Sequence, residues 1–192
     1  RRILQCLEAP EGYTFVYNDY AGVELRMAVC WIGEETMLGL IRDGVDLHSY
    51  TGSIIYRKPM EDLTKFELMI GKICNFLLIY GGSVKTLQMT IMAWGEVLMP
   101  FGEVQKIYNA WFRAYPTFRS WHNMLKKTIQ VYGYIDVTTA LGRKVRALSV
   151  NDAANIPIQG SCAEVQKIAL RELKKRYPDE TLISTIHDSN TL

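Results

Sequence analysis

Aromatic and β-branched residues alternate over residues 13–19, after a turn at Pro10-Glu11-Gly12, and this two-residue period predicts a strand. From residue 24 the period lengthens. Apolar positions recur at helical spacing over residues 24–32, and again over 35–41 beyond Gly33. A further helix is predicted over 46–56, with Asp46 as its cap, and Pro59 resets the chain behind it. A long helix is expected over 62–80, stopped by Gly81-Gly82. Helices over 102–114 and 117–131 flank Tyr115-Pro116. A hairpin of strands 134–138 and 144–148 turns through Ala140-Leu141-Gly142-Arg143. The pattern ends with a helix over 151–176 that opens irregularly around Pro157, and a last strand over 181–186. This order predicts an α+β fold whose first and last strands pair.

With 192 residues, 48% of them apolar, the chain can bury a substantial core in one or two lobes. The richest apolar run, residues 73–80, lies between Lys72 and two glycines and is far shorter than the roughly 20 residues of a membrane helix, so no membrane partner is expected. The opening Arg1-Arg2-Ile3-Leu4-Gln5-Cys6 lacks the hydrophobic core of a signal peptide, which points to the cytoplasm. Cys6, Cys30, Cys74 and Cys162 show no paired metal-ligand spacing, and three lie among apolar neighbours; reduced, buried thiols are expected. The formal charge of +2 identifies no partner by itself.

Three constellations carry candidate chemistry. In the stretch Asn18 to Arg26, Asp19 closes a predicted strand and Glu24 opens the next helix. A carboxylate at a strand end suits a divalent cation, and equally a helix cap or a surface acid. In Thr185-Ile186-His187-Asp188-Ser189 a second carboxylate closes a second apolar strand. Were the two strands to meet, Asp19 and Asp188 would be candidates to bridge two Mg²⁺ ions about 4 Å apart, the arrangement that serves phosphoryl transfer onto a hydroxyl. Third, Lys72, Phe76 and Tyr80 are spaced by fours, so a helix sets a cation and two rings on one stripe. That stripe could lie along a nucleoside triphosphate, or face a core.

Together these segments resemble the family A DNA polymerases. Asp19-Tyr20 with Glu24-Leu25-Arg26 is similar to the family's motif A, Lys72 to Gly81 to motif B, and His187-Asp188 to motif C, in the family's order. Asp46-Leu47-His48 resembles the segment after motif A, and Tyr115-Pro116 a tyrosine-proline pair. Gly133-Tyr134 with Gly142-Arg143-Lys144 resembles a hairpin, and Asn155 with Pro157-Ile158-Gln159-Gly160 the start of the long palm helix.

The resemblance implies a palm, a small antiparallel sheet with packed helices, joined to a helical fingers subdomain. Residues 1–56 would form the first part of the palm, 57–147 the fingers with the hairpin, and 148–192 the rest of the palm. It implies template-directed DNA synthesis from dNTPs on primer-template DNA, with two Mg²⁺ ions held by Asp19, Asp188 and the carbonyl of Tyr20. Lys72 would neutralise the leaving pyrophosphate, His48 contact the phosphate tail, and Phe76 stack near the sugar and base. Glu24, packed with Tyr80, would be the steric gate against a ribose 2′-hydroxyl, and Arg26 would brace motif A. Asn155, Gln159, Arg143 and His187 would touch the DNA, the first two in the minor groove, where acceptor positions are shared among base pairs.

Two departures stand out. Leu68 occupies the place, one turn before Lys72, of the family's phosphate-binding arginine, with Lys65 a turn further back as the candidate substitute. Ser189 replaces the acid that usually follows the motif C aspartate, as in the related single-subunit RNA polymerases. An RNA-polymerase-like enzyme and an inactive primer-template-binding module are therefore the alternatives. Glu24 and Asn75-Phe76 favour the DNA enzyme. The resemblance also implies a longer parent with a thumb and an exonuclease domain, and the departures suit a phage-type source, with the host cytoplasm as its compartment.

Overall fold

The computed structural model describes residues 8, 9 and 11–178, together with the strand backbone of 184–186 and 189–191. By internal packing the chain forms two compact units. One comprises residues 1–23 and 162–192, the other residues 24–161.

The first unit carries a three-stranded antiparallel sheet in the order β1 (Tyr17–Asp19), β5 (Ser189–Thr191), β4 (Ser184–Ile186). Tyr17 faces Thr191 and Asp19 faces Ser189, while β5 also pairs back to β4, with Ser184 opposite Thr191 and Ile186 opposite Ser189. The strand predicted over 181–186 is therefore not the neighbour of β1. Ser189-Asn190-Thr191 takes that place, and a polar triplet of this kind offers no hydrophobic alternation by which to find it. The predicted strand over 13–19 is likewise shorter in the structure, spanning Tyr17–Asp19.

The second unit is helical. It contains α1 (Val23–Ile32, from Glu24 onward), α2 (Glu35–Arg42), α3 (Leu47–Tyr56), α4 (Lys65–Leu78), α5 (Val84–Gly95), α6 (Phe101–Ala114), α7 (Pro116–Tyr132) and α8 (Val150–Arg176) as far as Ser161. The hairpin β2 (Ile135–Thr138) and β3 (Lys144–Ala147) lies between α7 and α8, with Ile135 opposite Ala147 and Thr138 opposite Lys144. A continuous core runs through Leu25, Met37, Ile70, Ile73, Leu78, Leu87, Ile91, Val104, Trp111 and Phe118. At about 1.5–3 kcal/mol for each large apolar side chain removed from water, such a core supplies the main drive to fold. A smaller one gathers Leu125, Val137, Ala147, Ala153 and Ala154 beneath the hairpin.

Local chemistry explains the helix boundaries. Asp46 caps α3 by accepting from the Ser49 backbone N–H at 2.8 Å. Helix α4 begins at Lys65 rather than at residue 62, because Thr64 and Glu67 form a capping box: the Glu67 N–H donates to the Thr64 hydroxyl and the Glu67 carboxylate accepts from the Thr64 N–H. Met60–Asp62 is a short 3-10 turn instead. Helix α5, capped by Ser83, is not among the predicted elements, although Val84, Leu87 and Ile91 follow helical spacing. Helix α8 stays regular through Pro157, where an irregular opening is expected from sequence. The Ser161 hydroxyl donates to the Pro157 carbonyl and accepts from the Ala140 N–H, tying the hairpin turn to the helix.

Helices α3 and α4 cross closely through two glycines. A β-carbon on Gly71 would collide with the His48 carbonyl oxygen and sit 2.9 Å from the Gly52 nitrogen, so only hydrogen fits. The Lys58 ammonium also reaches the Glu67 carboxylate at 2.7 Å, fastening the end of α3 to the start of α4.

The expectation of buried thiols is met by Cys74 alone among the described cysteines. Cys162 is half-buried and Cys30 is exposed; Cys6 lies outside the described residues. On α1 the buried face is Leu25, Ala28 and Val29, and Cys30 falls beside that stripe rather than on it.

Candidate active site

Asp19 is the last residue of β1 and is exposed, with Tyr20 following it at the surface. His187 and Asp188 lie outside the described residues, although β4 ends just before them at Ile186 and β5 begins just after them at Ser189. Among the described residues no three His, Cys, Asp or Glu side chains gather as a metal cage. What the described residues contribute is one carboxylate and one main-chain carbonyl at a strand end. Both are oxygen donors, which suit Mg²⁺ better than a softer metal.

The remaining nucleotide candidates lie in the second unit, in two groups. Glu24, in the first turn of α1, is half-buried and accepts a hydrogen bond from the Tyr80 hydroxyl at 2.8 Å, joining residues 56 apart in sequence. On α4, Lys72 is exposed with its Nζ 5.9 Å from the centre of the half-buried Phe76 ring. The His48 imidazole, from the first turn of α3, lies 5.3 Å from that ring, tilted by 36°. A cation, an aromatic face and an imidazole thus share one patch, set by the glycine crossing of α3 on α4. Leu68 is half-buried one turn before Lys72, and Lys65 is exposed at the start of α4.

His48 is held below the ordinary histidine value. Burial is the largest cause and the Lys72 charge adds to it, while Asp46 pulls the other way. The ring is therefore neutral at pH 7. Its Nδ1 lies 3.2 Å from the Asn75 side-chain nitrogen. Asn75 is fully buried and carries the centre of a polar network that the sequence reading does not predict: Thr51, Trp111 and Tyr115 surround it. One signal for it exists in the sequence. An asparagine within the apolar run Ile73 to Leu78 must find partners or cost several kcal/mol, but nothing in the run says where they come from.

The candidates for DNA contact are on α8 and the hairpin turn. Asn155 is half-buried and Gln159 exposed. The guanidinium of Arg143 packs against Gly160, where an added β-carbon would stand 2.7 Å from it. Arg143 and the helical turn bearing Gln159 are therefore neighbours. Arg26 is exposed on α1. A cavity of about 740 Å³ is lined by Tyr50, Ile54, Tyr56, Arg57, Lys106 and Arg113 among others, and none of the described candidate site residues is among its lining.

The chain belongs to DNA polymerase family A, whose model matches residues 1–191. The chain is 36% identical over 185 residues to DNA polymerase I of Aquifex aeolicus, a match covering 94% of this chain and 32% of that protein. It is 28% identical to the thermostable DNA polymerase I of Thermus aquaticus, over 100% of this chain and 24% of the relative. It therefore spans about a third or less of these relatives' length. Among solved structures, the POL domain of Pol1 from M. smegmatis, in complex with DNA primer-template and dNTP, shares the fold with a TM-score of 0.77. That match has 23% identity and covers 95% of this chain and 34% of that one. Among the described residues no helix is long and apolar enough to cross a membrane.

Proposed function

We propose that this chain is the palm and fingers of a template-directed DNA polymerase, transferring a nucleotide from a dNTP to a primer 3′-hydroxyl and releasing pyrophosphate. The observation that carries the reading is the α3–α4 patch, where Lys72, Phe76 and His48 stand together, while just beyond the end of α4 the Tyr80 hydroxyl holds Glu24 of α1. The relatives' activity as DNA polymerases supports it. So does the sheet register, since Asp19 stands opposite Ser189, the residue that follows Asp188 in sequence.

Each residue then has a task. Two Mg²⁺ ions, held by Asp19, Asp188 and the Tyr20 carbonyl, would activate the attacking oxygen and steady the leaving one. Lys72 meets the growing charge on pyrophosphate, since positioning and electrostatics dominate phosphoryl transfer. Phe76 offers its face to sugar and base. Glu24, drawn in by the Tyr80 hydroxyl, fills the space of a ribose 2′-hydroxyl, which favours the DNA enzyme over an RNA polymerase. Asn155, Gln159, Arg143 and His187 contact primer-template. The lobes follow the motif order, 1–56, 57–147 and 148–192, within a longer parent that supplies a thumb and an exonuclease domain.

The test is primer extension by the full-length parent with Mg²⁺ and the four dNTPs, beside Asp19→Asn and Asp188→Asn. Extension by the unaltered protein is expected, with both variants slowed by at least about a thousandfold. Unchanged rates in the two variants would reject the assignment.

A further inference from the structure

Asn75 uses every hydrogen-bonding valence it has. Its Oδ1 lies 2.8 Å from the Trp111 indole nitrogen and 3.0 Å from the Thr51 hydroxyl, and its Nδ2 lies 3.1 Å from the Leu47 carbonyl oxygen and 3.2 Å from His48 Nδ1. Two of these partners permit only one role. The indole N–H can only donate and the carbonyl can only accept. The amide is thereby pinned at both ends, with the oxygen towards Trp111 and the NH₂ towards Leu47. Its second N–H must then be given to His48, so Nδ1 accepts and the proton of the neutral ring resides on Nε2.

The polarity extends backwards as well. Asn75 Oδ1 accepts from Thr51, so the Thr51 oxygen, 2.8 Å from the Tyr115 hydroxyl, must accept from Tyr115. Donation therefore runs in one direction, from Tyr115 through Thr51, then from Asn75 to His48. Asn75 is wholly buried, and Thr51 and Tyr115 nearly so, which makes any reversal cost an unpaired polar group in the core. No described residue hydrogen-bonds His48 Nε2.

We propose that Asn75 is a positioning residue that fixes His48 as the Nε2–H tautomer, so that α3 presents one oriented donor to the triphosphate of the incoming nucleotide. The triphosphate part rests on the function proposed above; the tautomer does not. The neighbourhood keeps the ring neutral: burial and Lys72 outweigh Asp46. A neutral donor adds direction to the charge Lys72 supplies, and its proton does not come and go with small changes of pH.

Nitrogen NMR of the full-length protein, with ¹⁵N-labelled histidine and the His48 signals assigned by their loss in His48→Gln, reads the tautomer directly. In the nucleotide-free protein at neutral pH, Nε2 is expected protonated and Nδ1 bare. Protonated Nδ1, or two nitrogens averaged by exchange, overturns the proposal with no variant needed. In Asn75→Ala the donor is gone, and the two nitrogens should move towards a common average; an unshifted pair also overturns it. In steady-state primer extension, Asn75→Ala is expected to raise KM for dNTP by about tenfold with a smaller change in kcat. The same substitution in a His48→Ala background should add less than about twofold, because Asn75 acts through His48. Full additivity there sinks the positioning role. A protein that shows the expected tautomer but extends no primer would fail the proposed function and leave the tautomer standing.

Discussion

At the scale of single residues, the Glu24–Tyr80 hydrogen bond is the contact with the sharpest functional reading. Shortening the side chain in Glu24→Ala opens the space where a 2′-hydroxyl would sit. The ratio of ribonucleotide to deoxynucleotide incorporation is then expected to rise roughly 10- to 100-fold, the range over which a pocket discriminates by a small group. Tyr80→Phe removes only the hydroxyl that holds the carboxylate and should shift the same ratio by a few-fold. Single-nucleotide incorporation kinetics measure both, and a ratio indifferent to Glu24→Ala rules out the gate. The identity of such residues is legible in the sequence because each is tied to a motif. The resemblance also pairs Glu24 with Tyr80 across 56 positions. The partners of Asn75 are not legible: it meets Trp111 across 36 positions, a separation at which no local period carries information.

Among the elements, helix periods and caps are legible where the chain announces them: Asp46 before α3, Gly81 after α4, Gly133 after α7. Less visible are elements defined by a distant partner. Three-residue strands such as β5 exist because another backbone lies alongside, and α5 follows a double glycine that already reads as an ending. The closeness of α3 to α4 also escapes the pattern, and it yields a paired prediction. Glycine to alanine inside a helix ordinarily stabilises by about 0.5–1 kcal/mol. At Gly39 on α2 nothing lies within 4 Å of an added β-carbon, so Gly39→Ala should stabilise by about that amount. At Gly71 the β-carbon would collide with the His48 carbonyl oxygen, so Gly71→Ala should reverse the sign and destabilise by about 1–3 kcal/mol or more. Chemical denaturation of the two variants checks both signs.

For the whole molecule, two histidines tie stability to pH. His48 and His122 both titrate below the ordinary value of 6.5, burial being the larger cause in each. At His122 the Nε2–H donates to the Ile79 carbonyl at 2.9 Å, which works upward but is outweighed. With both values depressed, the unfolded chain binds more protons than the folded one, so stability rises with pH. This contribution is complete above about pH 6.5 and is lost as the pH falls below it towards the folded values. The melting temperature should therefore drop between about pH 7 and pH 5. His122→Gln, which retains a donor for Ile79 but takes up no proton, should make that drop shallower; an equally steep profile in the variant removes His122 as a cause.

The molecule also carries its own lamp for watching that transition. Trp111 is sealed from water with its indole N–H given to Asn75, whereas Trp31 and Trp94 stand at the surface. Exchange of Trp31, Trp94 and Trp121 for phenylalanine leaves an indole whose colour reports one thing, whether water has entered the knot of polar side chains behind His48.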